Sequence, residues 1–121
     1  MDELTIRQAG VLKTLANPRR LEILHALADG PVEVGRLASR IGASQPNVSQ
    51  HLAVMRTAGI VEAERDGREV RYRLVDPDVI LACALMRSVL ERHLARLGGL
   101  AANAAASPSL GGQPSVAISP R

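Results

Sequence analysis

Apolar residues recur first at helical spacing, then alternate, then return to helical spacing, and these changes of period outline the fold. Leu4, Val11, Leu12 and Leu15, with Gln8 among them, share one face of an amphipathic helix over residues 3–16. Asn17-Pro18 places a capping side chain before a proline at the first helical position, a specific start signal. The second helix then runs from Pro18 to Ala28 with Leu21, Leu24 and Leu27 inward, and Asp29-Gly30 stops it. Val34 to Ile41 forms a short third helix, with Leu37 and Ile41 toward the core and Gly42 closing it. Only Ala43 and Ser44 precede the next helix. Two short helices joined by a tight glycine-containing turn are the signature of a helix-turn-helix.

The helix that follows is the one around which the chain is organised. Ser44 is its N-cap, Pro46 sits in its first turn, and Gly59 supplies the left-handed residue that ends it. Val48, Leu52 and Met55 form one narrow apolar stripe, while Gln45, Ser49 and Arg56 lie to one side of it and Gln50 and Ala53 on the far side. Gln, Ser, Asn and Arg are side chains that hydrogen-bond base edges and phosphates in a DNA groove. The stretch reads as a recognition helix, with DNA contacts expected from Ser44 to Arg56.

Beyond Gly59 the period drops to two. Val61, Ala63 and Arg65 alternate with Glu62 and Glu64; after Asp66-Gly67, Val70, Tyr72 and Leu74 alternate with Glu69, Arg71 and Arg73. An Asp-Gly between two alternating runs predicts a hairpin with those two residues as its turn. That register pairs Ala63 with Val70 and Val61 with Tyr72. It also sets Glu62 opposite Arg71, and Glu64 unfavourably opposite Glu69. The hairpin reads as a wing presenting Arg65 and Arg68 to the phosphate backbone or minor groove.

Asp76-Pro77 opens a last helix expected to reach about Leu97 and to stop at Gly98-Gly99. Val79, Ile80, Leu81, Cys83, Leu85, Met86, Val89, Leu90, Leu94 and Leu97 cover more than one of its faces. That exceeds what a small monomer buries and implies a partner helix. The domain boundary falls at 98, with 99–121 an Ala-, Gly-, Ser- and Pro-rich tail expected to be flexible and to which no function is assigned.

Composition sharpens this picture in three places. Tyr72 is the one aromatic residue in 121, so the core rests on aliphatic side chains and dimerisation is expected. No acidic residue occurs from Val34 to Val61, whereas Arg36, Arg40 and Arg56 do, a distribution suited to counterion release from DNA. A single cysteine excludes an internal disulfide; with no membrane-length apolar run and an acidic N-terminus, it predicts a cytoplasmic protein with no membrane partner.

The element order, with Leu15-Ala16-Asn17-Pro18-Arg19-Arg20-Leu21-Glu22-Ile23-Leu24 ahead and Ser44-Gln45-Pro46-Asn47-Val48-Ser49-Gln50-His51-Leu52 behind, resembles the ArsR/SmtB family of bacterial winged-helix repressors. The likeness covers roughly residues 3–97. It implies a mainly α fold with a β-hairpin wing, dimeric through its first and last helices, on a two-fold operator in double-stranded DNA. It further implies that Gln45, Asn47, Ser49 and Gln50 meet DNA with the wing alongside. The residues expected at the dimer interface are Leu4, Val11, Leu15, Ile80, Cys83, Met86, Leu90 and Leu94.

The family's sensor chemistry does not transfer. Where soft-metal sensors of this family carry a Cys-x-Cys pair, the matching positions are Glu33 and Gly35. Where zinc-type sensors carry Asp-x-His and His-x-x-Glu, this chain has Asp76-x-Asp78 and His93-x-x-Arg96. Tetrahedral zinc wants four ligands and thiophilic ions want several thiolates, so no metal site and no cofactor are expected. His25, His51 and His93 fall on three different helices, and no nucleophile–base pair or phosphate loop stands out, so no enzyme is expected. Cys83 reads as a small core hydrophobe. Two further readings stay open: a thiol- or metal-responsive repressor working through Cys83, and a winged-helix protein-interaction module. The polar face of Gln45, Ser49, Gln50 and Arg56 argues against the latter, which would expose Leu, Phe or Tyr there.

Overall fold

The computed structural model describes residues 1–103. Its elements are α1 (Glu3–Leu15), α2 (Pro18–Ala26), β1 (Val32–Glu33), α3 (Val34–Ile41), α4 (Gln45–Thr57), β2 (Val61–Asp66), β3 (Glu69–Leu74) and α5 (Asp78–Asn103). It divides into two compact units, Met1–Ile80 and the chain from Leu81 onward. The strands form one antiparallel sheet in the order β1-β3-β2.

Side-chain caps set most boundaries in the first unit. Asp2 accepts from the amide of Thr5 at 2.7 Å, Asn17 from that of Arg20 at 3.1 Å, and Ser44 from that of Asn47 at 3.2 Å. Each satisfies an amide with no partner inside its helix. At the end of α4, Ile60 N–H donates to Met55 O and Gly59 N–H to Arg56 O, with Gly59 at φ +77°. These two bonds are the Schellman arrangement. It turns the chain directly from α4 into β2, which places the hairpin beside α4.

The core lies where α2, α3, α4 and the sheet meet: Ile23, Leu24, Leu27, Leu37, Leu52, Met55, Val48 and Val61 are all fully buried. Leu15 from α1 and Val32, Ile60 and Leu74 from the sheet region complete it. At roughly 1.5–3 kcal/mol for each buried aliphatic side chain, this cluster is the main stabilising term of the unit. Ile23 is buried where Leu21, expected inward, is only half-buried, so the inner face of α2 is rotated toward Ile23 and Leu24.

Four expectations are corrected. The hairpin turn is Gly67-Arg68 rather than Asp66-Gly67, so the register moves by two: Val61 opposes Leu74, Ala63 opposes Tyr72, and Glu64 opposes Arg71. A shift of two leaves every side chain on its original face, and it removes the Glu64–Glu69 clash. Secondly, α5 runs past Gly98-Gly99 to Asn103. Neither glycine takes the left-handed conformation that would end a helix, so they are merely weak helix formers there. The proposed tail therefore starts inside a helix, and its part from 104 to 121 lies outside the described residues. Thirdly, α2 ends at Ala26, not Ala28, because Leu27 N–H closes a tight last turn on Ile23 O and Leu24 O. Finally, Leu15 is only 6% exposed and is a core residue of its own protomer, with little surface left for a dimer contact.

Candidate nucleic-acid interface

On α4 the apolar stripe lies inside and the polar residues outside, with Val54, 41% exposed, an apolar side chain left on the outer surface. Val48, Leu52 and Met55 are 0% exposed, whereas Ser44, Gln45, Asn47, Ser49, Gln50 and Arg56 are all exposed. The apolar stripe anchors the helix, and the opposite face carries short polar groups that nothing else in the described residues occupies, Ser44 excepted. The Ser44 hydroxyl already accepts the Asn47 amide, which leaves its O–H and one lone pair for a ligand.

The start of α4 abuts the start of α3 through a glycine. A Cβ at Gly35 would lie 3.1 Å from Glu33 Oε1 and 3.4 Å from Gln45 Oε1, tighter than or at the limit of ordinary contact. The missing side chain thus lets the Gln45 amide and the Glu33 carboxylate converge. Glu33 also caps α3, accepting from the amide of Arg36 at 3.1 Å. The two positions where the family resemblance would put thiolates serve here as a helix cap and a space for a neighbour.

A second tie fixes α4 from behind. Arg20 of α2 donates from Nε to His51 Nδ1 at 3.2 Å and from Nη1 to the carbonyl of Thr14 at 2.9 Å. One guanidinium therefore joins the end of α1, the start of α2 and the middle of α4. Because Nδ1 accepts, the ring is the neutral tautomer with its proton on Nε2. Burial, then the charges of Arg20 and Arg19, hold the His51 pKa below the usual histidine value. Nothing in the sequence marks Arg20 as the donor to His51, since the two are joined only by the way α2 packs on α4.

The wing carries its charge in two zones. Along the strands, Arg73 pairs with Glu62 and with Glu64 at 3.3 Å, and Arg71 pairs with Asp66 at 3.5 Å and Glu69 at 3.3 Å. The remaining like-charge pair, Asp66 opposite Glu69, has Arg71 between its members. At the tip Arg65 and Arg68 are exposed and, among the described residues, have no acidic partner. The two cations that the strands leave free are thus the two nearest the turn.

The expected dimer residues divide by exposure. Leu4, Met86 and Leu94 are exposed, while Val11, Ile80, Cys83 and Leu90 are half-buried. Ile6, Leu12, Leu81, Leu85 and Val89 are also exposed and extend the apolar surface of α1 and of α5. Burial pushes the Cys83 thiol pKa up, which disfavours the reactive thiolate. Among the described residues no three His, Cys, Asp or Glu side chains converge as a metal site would need, and none of the helices is long and apolar enough to cross a membrane.

Comparison with known proteins bears on what this polar helix and wing are. Residues 17–63 match the model of the bacterial regulatory protein arsR family. Rv0081, an HTH-type transcriptional regulator of Mycobacterium tuberculosis, is 42% identical over 88 residues, spanning 72% of this chain and 77% of the relative. The chain belongs to the ArsR family. It is a transcriptional regulator built on the family's winged helix-turn-helix. A second relative, the biofilm growth-associated repressor of Xylella fastidiosa, is 41% identical over 76 residues, covering 63% of this chain and 67% of that one. Among solved structures, a homodimeric winged helix-turn-helix DNA-binding domain from Mycobacterium bovis aligns with a TM-score of 0.69 at 38% identity, covering 75% of this chain and 84% of that one. The crystal structure of Rv0081 aligns equally well, with a TM-score of 0.69 at 39% identity, over 79% of this ArsR chain and 97% of its own.

Proposed function

We propose that the protein is a cytoplasmic repressor that binds a pseudo-palindromic duplex as a homodimer, with α4 in the major groove and the wing on the adjacent backbone. The observation that carries this reading is the outer face of α4. There Gln45, Asn47, Ser49, Gln50 and Arg56 are exposed, while the helix is anchored by three fully buried residues. A helix so held presents base-reading groups on a rigid support, and Arg65 and Arg68 supply backbone contacts at the wing tip. The dimer is formed by the apolar faces of α1 and α5, through Leu4, Val11, Ile80, Cys83, Met86, Leu90 and Leu94. The homodimeric Mycobacterium bovis domain and the Xylella repressor support dimerisation and repression respectively.

Half-sites about one helical turn apart, ~34–36 Å, follow from the two-fold arrangement. The test is selection of a duplex from a random pool, followed by titration of variants. Ser49→Ala should cost on the order of 1–3 kcal/mol on the selected site and flatten discrimination at one base pair. Arg68→Gln should weaken all duplexes similarly and lower the salt slope by about two units, one for each wing of the dimer. Equal loss of selected and random DNA by Ser49→Ala would remove α4 from base reading.

A further inference from the structure

Between α3 and the wing lies a cleft of about 400 Å³, lined by Arg36 and Arg40 of α3, Glu69 and Arg71 of β3, and Glu33 where β1 meets α3. Its acids are engaged. Glu33 caps α3 through the amide of Arg36, and Glu69 is paired with Arg71. Arg71 in turn is held by Glu69 and Asp66. Arg36 and Arg40 stand apart from this network: both are exposed, and neither has an acidic partner among the described residues. They are four residues apart, so both side chains leave the same face of α3. Like charges at that spacing weaken a helix, and a bound anion reverses the effect. The cleft also adjoins the start of α4, because Glu33 on its wall shares the space above Gly35 with Gln45.

We propose that this cleft seats one phosphate group of the duplex backbone, beside the base pairs facing α4, with Arg36 and Arg40 as its two charged donors. Guanidinium groups match phosphate oxygens with paired N–H donors. The proposal rests on the DNA-binding reading above and adds a backbone contact between helix and wing to those at the wing tip. Arg71 and Glu69 form the neutral far wall.

The experiment titrates full-length wild type, Arg36→Gln, Arg40→Gln and the double variant against selected and random duplexes across a salt series. Lys13→Gln, which removes an equal charge from α1, gives the long-range background. Because the two arginines share one phosphate in each of two half-sites, the double variant should lower the salt slope by about two units beyond that background and weaken both duplexes by the same factor. Arg36→Lys/Arg40→Lys should retain the slope. Duplexes carrying single neutral methylphosphonate linkages then locate the contact. One linkage per half-site should weaken the wild type and leave the double variant indifferent. If the wild type binds normally but the double variant keeps its slope, or every linkage weakens both proteins equally, the cleft assignment is overturned and the DNA-binding reading stands. If the wild type binds no duplex, both fall.

Discussion

Arg20 and His51 show how one contact joins the scaffold to α4. The guanidinium needs an acceptor at Nδ1, so a protonated ring cannot keep the bond and would stand beside two arginines. The folded pKa is therefore below the unfolded value of about 6.5, and between the two the unfolded chain binds more protons. Stability from this site is complete above about pH 6.5 and is lost as pH falls through the folded pKa. Thermal unfolding measured between pH 5 and pH 8 should show this acid-side loss. It should be smaller in His51→Asn, whose amide oxygen replaces the acceptor without titrating. An identical pH profile for the two proteins would remove His51 from the linkage.

At the scale of elements, the wing depends on Gly67. It occupies the first of two loop positions at φ +65°, which side chains other than glycine adopt only with strain. Gly67→Ala should cost about 1–3 kcal/mol, read as a lower urea midpoint at unchanged slope, since no buried contact is altered. This position also shows what was legible in the sequence. Alternation and the glycine announced a hairpin, but the choice between Asp66-Gly67 and Gly67-Arg68 depends on cross-strand charge, with Arg71 between Asp66 and Glu69. Where a boundary is decided locally, as at Asn17, Gly42 and Ser44, the sequence places it correctly, since the cap is written beside the helix. β1 escaped because Val32 and Glu33 become a strand only by pairing with Tyr72 and Arg71, some forty residues on. The polar face of α4 was legible as a face, but the closeness of Gln45 to Glu33 across Gly35 depends on how α3 meets α4.

For the whole molecule, the exposed apolar residues decide the oligomeric state. Leu81 and Leu85 are 66% and 67% exposed, and Leu4 is 75% exposed, in a chain with one aromatic side chain. Sedimentation at micromolar concentration should therefore give a dimer of about twice 12.8 kDa. Leu90→Asp should shift it to monomer or insoluble material, because a charge buried without a partner is strongly unfavourable. A wild type that sediments only as a monomer would refute the arrangement. Dimerisation and half-site spacing then stand or fall together, since two reading helices address one duplex only when something holds them apart at a fixed distance.

The regular register of the hairpin, closed at Gly67-Arg68, has a consequence for how such wings vary. Pairing has a parity: adding two residues to each strand below Gly67 lengthens the wing by roughly 6.8 Å and returns Arg65 and Arg68 to the same side. Adding one residue to each strand lengthens it by half as much and carries both arginines to the opposite side. The reach of this wing is thus adjustable only in double steps if its cationic tip is to keep facing the same way.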